Sequence, residues 1–584
     1  MQNKTAIKWI GFVTALSCTM LLGLTQCSEF QPLQSDTKPA ASNRYGSYLA
    51  GRYATGARDS EAAARYFKSA LTFDPQNPAL LERALLSEVS GGDIDTAANY
   101  AEDLVKRVPS ARLPNLVIGI RALRDDAYAK SAQAFEKVAG NAAAEIAAKV
   151  GLAYADYAQG NLPGATDALA KLNSVGGTRA FALYHQALME DLSGKNAEAL
   201  SHYEEANRLS DGESLRILQA YGNFLARQGQ AGKAKELYQT FLLKAPGNPV
   251  IQRELSRMAG GGVPTRVISD AKQGMAETLY GVAASSSDDK AVELPVFYLQ
   301  LALALDPHHE LSLSLLADRQ EAGERWQDAN DTYERIPPTS PLFVSSRQQI
   351  AQNLQKLKRP DDALKTLNQA LNGTEEDAHT YAAIGDVLRD QDKYAEAAAA
   401  YTKAISMISR PEERHWTLFY TRGVSYEREK RWNDAESDLR MALKLRPQQP
   451  MVMNYLAYSW VDRGINIREG LEMLQRAVEL RPDDGYVVDS LGWAHYRLGN
   501  FKAATEYLEK AVLLEPGLST INDHLGDAYW RTGRKLEAKF QWQHALAMAP
   551  EKADEPKIMR KLDVGLEDQP KNPSRADNAG QGSK

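Results

Sequence analysis

Cysteine is almost absent from this chain. The 584 residues contain two cysteines, Cys18 and Cys27, and both lie within the first thirty positions. No disulfide can therefore cross-link the remainder of the chain, and no zinc site with cysteine ligands can form there. An excess of charge is lacking as well, because 69 Lys and Arg residues oppose 75 Asp and Glu residues and no Lys/Arg block stands out. This balance argues against binding to nucleic acid.

Sequence motifs of catalysis and cofactor binding are also missing. The sequence contains no H-E-x-x-H metal motif, no G-x-S-x-G nucleophile motif and no G-x-x-x-x-G-K-[ST] phosphate loop. Nine histidines are scattered along the chain, and the adjacent pair His308-His309 is typical of a solvated turn. We therefore predict no catalytic residue, no metal site and no cofactor, and we expect a protein that is not an enzyme.

The first 43 residues have the composition of an export signal followed by a tether. Lys4 and Lys8 give a positive start, and residues 9–24 form a charge-free apolar run of 16 residues. This run is shorter than the ~20 residues of a membrane-spanning helix. Residues 31–43 are polar and contain proline, which argues against the alternative of a first helix of the fold. We predict a signal peptide over 1–27 and a polar tether over 28–43.

The end of this signal resembles the lipobox of bacterial lipoproteins. Leu24-Thr25-Gln26-Cys27 ends on the cysteine that such proteins acylate, although Gln26 stands where that family has Gly, Ala or Ser. The resemblance implies lipidation of Cys27, and Ser28 implies an outer-membrane lipoprotein that faces the periplasm. Several acyl chains on one residue would anchor the protein stably. The alternatives are a cleaved signal that leaves a soluble periplasmic protein, or a short uncleaved anchor.

The body of the chain repeats with a period of about 34 residues. A glycine is followed twelve residues later by an alanine in a recurring register, at Gly51/Ala63, Gly222/Ala234, Gly385/Ala397, Gly423/Ala435, Gly492/Ala504 and Gly526/Ala538. Pro482, Pro516 and Pro550 follow one another at intervals of 34 residues. Since proline lacks the N–H that continues a helix, each of these prolines predicts a helix end. The period therefore predicts pairs of closely packed helices.

The repeat resembles the tetratricopeptide repeat (TPR) over nearly all of residues 44–550. Residues 489–501, DSLGWAHYRLGNF, are similar to the first helix and turn of that repeat. The resemblance implies an all-α fold, a TPR superhelical solenoid of about fourteen helix-turn-helix repeats. We place the repeat starts near Arg44, Asn77, Arg112, Lys149, Ala180, Leu215, Gly274, Glu310, Val344, Ala378, Trp416, Pro450, Gly485 and Ser519.

Glycine and proline divide the repeats into two arrays. Three glycines at 260–262 and Pro264 cannot continue a helix. We predict an N-terminal TPR array over 44–258, a break or linker over 259–273 and a C-terminal TPR array over 274–550. A lengthened connection inside one continuous superhelix is the alternative that we favour slightly. Residues 551–584 are predicted to be a capping segment, with a helix at 558–566, and a disordered tail.

Aromatic residues gather in the C-terminal repeats, where six of the eight tryptophans lie between Trp416 and Trp542. In the first helix of a repeat, positions 2, 5, 9 and 12 share one face by helical spacing. By resemblance to the family, that face lines the concave groove. Exposed aromatics with arginines are typical of protein-binding hot spots. We predict a partner-binding groove formed by Tyr458, Tyr486, Asp489, Trp493, Tyr496, Arg497, Asp523, Asp527, Trp530 and Arg531. The alternative is a narrow superhelix whose own packing fills the groove.

The whole chain resembles the outer-membrane TPR lipoproteins that act as adaptors for periplasmic carboxy-terminal processing proteases. The resemblance rests on the signal, the tether, the number of repeats and the segment His524-Leu525-Gly526-Asp527. It implies a scaffold whose partners are a protease and the cell-wall hydrolases that the protease cleaves. An assembly factor for pili, polysaccharide export or outer-membrane machinery shares these features. The sequence leaves the oligomeric state open.

Overall fold

The computed structural model describes residues 43–138, 142–174, 177–285, 293–372 and 377–567. The predicted signal peptide, Cys27, nearly all of the tether and most of the predicted C-terminal tail lie outside the described residues. The regular structure that is described consists of thirty α-helices and two short 3₁₀ turns. The prediction of an all-α fold is therefore confirmed. In these five segments, no helix has both the length and the apolar character that a membrane crossing requires.

Thirteen of the described helices precede the predicted break. They are α1 (Arg44–Gly56), α2 (Ser60–Phe73), α3 (Pro78–Gly91), α4 (Ile94–Val105), α5 (Arg112–Arg124), α6 (Tyr128–Glu136), α7 (Ala142–Ala158), α8 (Leu162–Ala170), α9 (Arg179–Leu192), α10 (Asn196–Leu209), α11 (Leu215–Arg227), α12 (Ala231–Lys244) and α13 (Pro249–Ala259).

Within the residues that the structure describes, seventeen helices follow the break. They are α14 (Ala271–Ala284), α15 (Glu293–Leu305), α16 (Glu310–Ala322), α17 (Trp326–Glu334), α18 (Phe343–Lys356), α19 (Pro360–Asn372), α20 (Ala378–Asp390), α21 (Tyr394–Ser406), α22 (Trp416–Arg428), α23 (Trp432–Leu445), α24 (Pro450–Arg463), α25 (Ile467–Leu480), α26 (Gly485–Arg497), α27 (Phe501–Leu514), α28 (Ser519–Arg531), α29 (Lys535–Ala547) and α30 (Glu555–Val564).

Consecutive helices pack as fourteen hairpins within the described residues, six before α13 and eight from α14 to α29. The predicted number of repeats is thus confirmed, and the predicted starts at Leu215, Trp416, Gly485 and Ser519 coincide with the first residues of helices. The fourth repeat differs, because α7 begins at residue 142 instead of 149. Residues 142–148 are rich in alanine and contain no helix breaker, so the helix extends by two further turns.

A glycine in the first helix of a hairpin makes room for a large side chain sixteen residues later. A Cβ on Gly222 would lie 2.4 Å from the ring of Tyr238, and a Cβ on Gly526 would lie 2.5 Å from the ring of Trp542. The alanine twelve residues after each glycine is buried between the two helices, as at Ala234. The spacing of glycine and alanine therefore records close helix packing, with the aromatic ring as the third member of the pattern.

Helix starts and turns follow the capping residues of the sequence. Asn77 and Asp484 accept hydrogen bonds from the first amides of α3 and α26, and a proline opens α3, α13 and α24. The tight turn inside a hairpin needs one residue with positive φ. Gly499 supplies it at φ 80° between α26 and α27.

The predicted break changes the path of the chain. Helix α13 ends at Ala259, residues 260–270 are not helical, and α14 begins at Ala271. The hairpin α14–α15 then returns to the N-terminal array, where α14 packs against α7 and α9 and α15 packs against α3 and α5. One apolar core consequently runs from Leu85 to Val387, across the predicted break. In the described residues the two predicted arrays share this core.

Candidate protein-binding groove

The concave face of the N-terminal array is filled by the chain itself. The helices that α14 and α15 contact are the first helices of repeats two to five, which line the inside of the superhelix. Tyr184 and Arg216, at groove positions 5 and 2 of their repeats, both donate to the carboxylate of Glu277 in α14. Asn223, at position 9, donates to the carbonyl of Thr265 in the linker. These groove positions therefore bind the seventh hairpin and the linker that leads to it.

Glu277 is the electrostatic centre of this contact, and its side chain is 2% exposed. Arg216 donates from Nε to Oε1 at 2.8 Å and from Nη2 to Oε2 at 2.6 Å. Tyr184 adds a hydrogen bond to Oε1 at 3.1 Å, and His309 lies 3.1 Å from Oε2. Burial opposes the ionised carboxyl, but the attraction of Arg216 and the bond to His309 outweigh it and lower the pKa of Glu277.

A second buried carboxylate ties the linker to the same face. Asp191, at groove position 12 of the fifth repeat, receives Arg227 from α11 and Arg266 from the linker. Arg266 donates from Nε to Oδ1 at 3.0 Å and from Nη2 to the carbonyl of Asp191 at 3.1 Å. Two arginines thus neutralise one acid, and the linker is held in the groove by charge as well as by packing.

At the other end of the molecule, α30 folds back over the last repeats. Ile558 is buried and Leu562 is half-buried, and both join the core formed by α26 to α29. Gly565 packs so closely against the indole of Trp530 that a Cβ on this glycine would lie 2.0 Å from the ring. The predicted capping segment is a helix, with bounds 555–564 instead of 558–566.

Lys561 of α30 lies between two aspartates at groove positions 5 and 9 of the last repeat. Its Nζ atom is 2.8 Å from both Oδ atoms of Asp523 and 2.8 Å from Oδ1 of Asp527. Asp527 also accepts a hydrogen bond from Nε1 of Trp542 at 2.9 Å. Burial opposes the charged ammonium, yet the attraction of Asp527 and Asp523 prevails and raises the pKa of Lys561. Burial also raises the pKa of Asp527, an effect that Lys561 opposes.

Rings stack beside these carboxylates. The indole of Trp493 lies parallel to the ring of Tyr496, with centroids 4.7 Å apart, and to the imidazole of His524 at 4.0 Å. His524 Nδ1 is 3.0 Å from Oδ1 of Asp489. Burial disfavours the imidazolium, but Asp489 outweighs burial and raises the pKa of His524. The indole therefore stacks on a ring whose charged form is stabilised by Asp489.

The structure brings most of the predicted groove residues together. We name Asp489, Trp493, Tyr496, Asp523, His524, Asp527 and Trp530 the C-terminal cluster. Arg531 adjoins it, with Nε 3.3 Å from the hydroxyl of Tyr496. Arg497 instead binds the carbonyl and the carboxylate of Asp462 at the end of α24. Tyr486, at the start of α26, is 57% exposed. Its partial burial raises the pKa of Tyr486, and the carboxylates of Glu515 and Asp484 raise it further.

Tyr458 connects this cluster to a stretch of concave surface on α20, α22 and α24 that we name the central groove. Burial raises the pKa of Tyr458, and the carboxylates of Asp489, Asp462 and Asp554 raise it further. Tyr458 thus lies within electrostatic range of the C-terminal cluster and of the segment before α30. Farther from α30, half-buried side chains at groove positions 5, 9 and 12 of their repeats line this surface, namely Asp386, Arg389, Tyr420 and Asn454.

The central groove combines charged, amide and aromatic groups. Asp386 accepts a hydrogen bond from Tyr401 at 2.7 Å and lies 3.4 Å from Arg389. Burial raises the pKa of Tyr420 to about 12, an effect that nearby Arg389 opposes. The side-chain oxygen of Asn454 is buried and makes no hydrogen bond within the described residues. Mixed groups of this kind recognise other proteins through hydrogen bonds and ring contacts.

In the parts of the chain that the structure describes, no group of three or more His, Cys, Asp or Glu side chains is arranged to hold a metal ion. His308 and His309 have separate roles. The amide of His308 bonds to Asp306, whereas the His309 ring begins α16 by accepting from the amide of Ser312 and also contacts Glu277.

Comparison with known proteins identifies the repeat. A family model described as the tetratricopeptide repeat matches residues 487–518, and a second model with the same description matches residues 349–414 and 382–450. The chain contains tetratricopeptide repeats. The matched TPR segments include α26 and α27, which carry part of the C-terminal cluster, and α20 and α22, which carry most of the central groove.

A TPR repeat-containing protein of Pseudomonas aeruginosa is 29% identical to this chain over 194 residues. The match covers 33% of this chain and 32% of that protein, so the aligned part spans about a third of the relative's length. Among solved structures, the Cut9–Hcn1 assembly of the APC/C aligns over 90% of this chain at 14% identity, with a TM-score of 0.36. YrrB, a TPR protein with an unusual peptide-binding site, aligns over 34% at 21% identity, with a TM-score of 0.27.

Sequence reasoning did not identify three of the residues that shape the site. His524 occupies a position next to the predicted groove face, and nothing in the spacing indicates its pairing with Asp489. Lys561 lies 38 residues after Asp523, outside the repeat, so the period gives no register for it. The period does not reveal the partner of Glu277, although an acid beside the apolar residues Met275, Ala276 and Leu279 indicates that a buried partner exists.

Proposed function

We propose that this protein is a non-enzymatic scaffold of the cell envelope that holds partner proteins in the central groove and at its C-terminal end. The observation that carries the proposal is the contrast between the two concave faces. The face of the N-terminal array is filled by α14, α15 and the linker. The central groove presents half-buried Arg389, Tyr420 and Tyr458. Proteins with TPR repeats generally bind other proteins, and the central groove is where this chain offers suitable groups.

The envelope location and the partners extend this proposal. We propose that Cys27 is acylated and that the scaffold is attached to the outer membrane, where it faces the periplasm and recruits a carboxy-terminal processing protease and its cell-wall hydrolase substrates. The lipobox-like segment and the resemblance to adaptor lipoproteins support this assignment. Replacing Cys27 by Ser tests the anchor, since we expect the protein to move from the membrane fraction to the soluble fraction. Equal membrane retention of wild type and Cys27→Ser would remove the lipid anchor from the account.

Partner binding is tested by affinity capture of the full chain from crosslinked membranes. We compare the wild type with the groove variant Arg389→Glu/Tyr420→Ala and with Leu513→Glu as a matched surface control, because Leu513 is 82% exposed on the second helix of its hairpin. The wild type and Leu513→Glu should recover the same envelope proteins, a protease or cell-wall hydrolases among them, and the groove variant should lose most of them. Recovery of the same proteins with all three chains would refute the groove as the binding site.

A further inference from the structure

Helix α30 lies on the last repeats as a peptide ligand would. Its inward residues Ile558, Lys561, Leu562 and Gly565 follow the spacing i, i+3, i+4 and i+7, which is one face of a helix. The residues on its other side, including Met559 at 49% and Val564 at 69% exposure, face away from the protein. The receiving surface is thus shaped to accept one face of an amphipathic helix.

The charges of the receiving surface select a basic residue in that helix. Asp489, Asp523 and Asp527 place three carboxylates in the C-terminal cluster, and His524, whose Nδ1 lies 3.0 Å from Asp489, is the basic group that the cluster itself contributes against them. Lys561 of α30 adds a positive charge to this site. The contact is largely buried, because the side chain of Lys561 is 17% exposed and that of Asp527 is 6% exposed. A helix without a cation at this position would leave the two aspartates of α28 facing each other without a counter-charge, which is costly.

Helix α30 buries fewer of its residues than the first helices of the repeats on which it lies. Among the ten residues of α30, Ile558 is the fully buried one, whereas α26 and α28 bury nine and eight. A helix of this length is not stable in water without contacts. Gly565 ends the helix at φ 75° against Trp530. The segment therefore belongs to the part of the chain that opens at low energetic cost.

We infer that the C-terminal cluster is a binding site for an amphipathic helix of a partner protein that carries one lysine, with apolar residues three positions before it and one position after it, and that α30 occupies this site until such a helix displaces it. The inference rests on the proposed scaffold function and specifies one class of partner segment for it. Asp523 and Asp527 bind the lysine, while Trp493 and Trp530 contact the apolar residues. A partner helix must therefore compete with α30 for this site and bind to it more favourably than α30 does.

A peptide with the sequence of residues 551–567 tests this inference, because it is the one ligand whose fit the structure shows. The labelled peptide is added to the full chain, and binding is measured by fluorescence anisotropy. Wild type should bind it weakly, because α30 competes from within the same molecule. Lys561→Glu, which places a third carboxylate beside Asp523 and Asp527, should release α30 and bind the peptide at least tenfold more tightly. Lys557→Glu is the matched control, since Lys557 pairs with Asp554 on the exposed side, and it should bind as wild type does.

A second variant releases α30 by a different cause. Gly565→Ala introduces a methyl group where Trp530 leaves no room and where φ is positive, so it should also expose the cluster and bind the peptide more tightly than wild type. A peptide with Lys561 replaced by Glu should not bind any of the chains. Hydrogen exchange of residues 555–564 reports whether α30 has been released in each variant.

The inference is overturned if exchange shows α30 released in Lys561→Glu and Gly565→Ala while neither chain binds the peptide more tightly than wild type. It is also overturned if the peptide with glutamate binds equally well, or if released chains pair with each other through exchanged α30 helices instead of binding the peptide. If the wild type recovered no envelope proteins in the capture experiment, that would be a separate failure, which concerns the proposed scaffold function. The peptide measurement uses purified components and does not depend on which envelope proteins are captured.

Discussion

Replacing Glu277 by Gln should loosen the seventh hairpin from the groove of the N-terminal array. The carboxylate accepts hydrogen bonds on both oxygens, from Arg216 and Tyr184 on Oε1 and from Arg216 and His309 on Oε2. A glutamine keeps one of these oxygens and puts an NH₂ group in the place of the other, where it faces two donors. Arg216, with a side chain 16% exposed, then has no counter-charge.

Breaking a buried ion pair in this way costs about 3–5 kcal/mol. Since about 1.4 kcal/mol corresponds to a factor of ten, local opening of α14 should become at least about a hundredfold more frequent. Hydrogen exchange of residues 271–284 and 215–227 is the appropriate assay, because a long repeat array need not unfold in one cooperative step. Helices α26 and α28 lie far along the solenoid and should exchange as in the wild type.

A double variant provides the control for this experiment. The double variant Arg216→Met/Glu277→Leu replaces the pair by apolar side chains of similar size and should regain much of the protection that Glu277→Gln loses. Unchanged exchange of α14 in Glu277→Gln would show that the ion pair does not hold the hairpin in the groove. Faster exchange throughout the chain would show instead that the contact is not local.

Two further predictions concern packing and pH. Gly222→Ala should weaken the hairpin α11–α12 by about 1–3 kcal/mol, because its Cβ would press on the ring of Tyr238. The control Gly232→Ala should be neutral or slightly stabilising, because its Cβ would meet no atom within 4 Å. Hydrogen exchange of α11 in both variants checks this prediction. Burial raises the pKa of Glu321 from 4.5 to about 7, although a hydrogen bond from Asn353 opposes the shift. Because the native state then binds more protons than the unfolded chain between these pH values, the stability of this region should fall as pH rises through them, by at most about 3 kcal/mol. Glu321→Gln should remove the dependence and open α16 less often than wild type at pH 8 but equally at pH 4, and an identical pH dependence in the variant would contradict the assignment.

The register of the repeats could be read from the sequence because each hairpin packs mainly against its neighbours in the chain. Gly492 and Ala504, for example, recur at the spacing of a helix pair whatever the remainder of the chain does. The same logic predicted which helix positions face the groove. Asp489, Asp523 and Asp527 were assigned to that face, and the structure places them around Trp493 and Lys561. Whether partners bind there stays a prediction.

What fills the groove could not be read from the sequence in the same way. Glu277 meets Arg216 across 61 residues, and Gln300 donates to the carbonyl of Ser90 across 210 residues. Such contacts do not recur from one repeat to the next, so the period of the sequence does not reveal them. The glycines at 260–262 indicated an interruption, but an interruption permits a straight continuation or a return into the array. The pairing of buried charges and the apolar packing of α14 and α15 distinguish these two paths, and both are properties of the folded chain.

We propose above that the central groove, and not the outer surface of the superhelix, holds partner proteins. The most direct measurement places a photo-crosslinking amino acid at position 420 in one full chain and at position 513 in another, and irradiates cells that produce each. Position 420 should form crosslinks to other envelope proteins, and position 513 should form none above background. Crosslinks from position 513 with none from position 420 would contradict the claim.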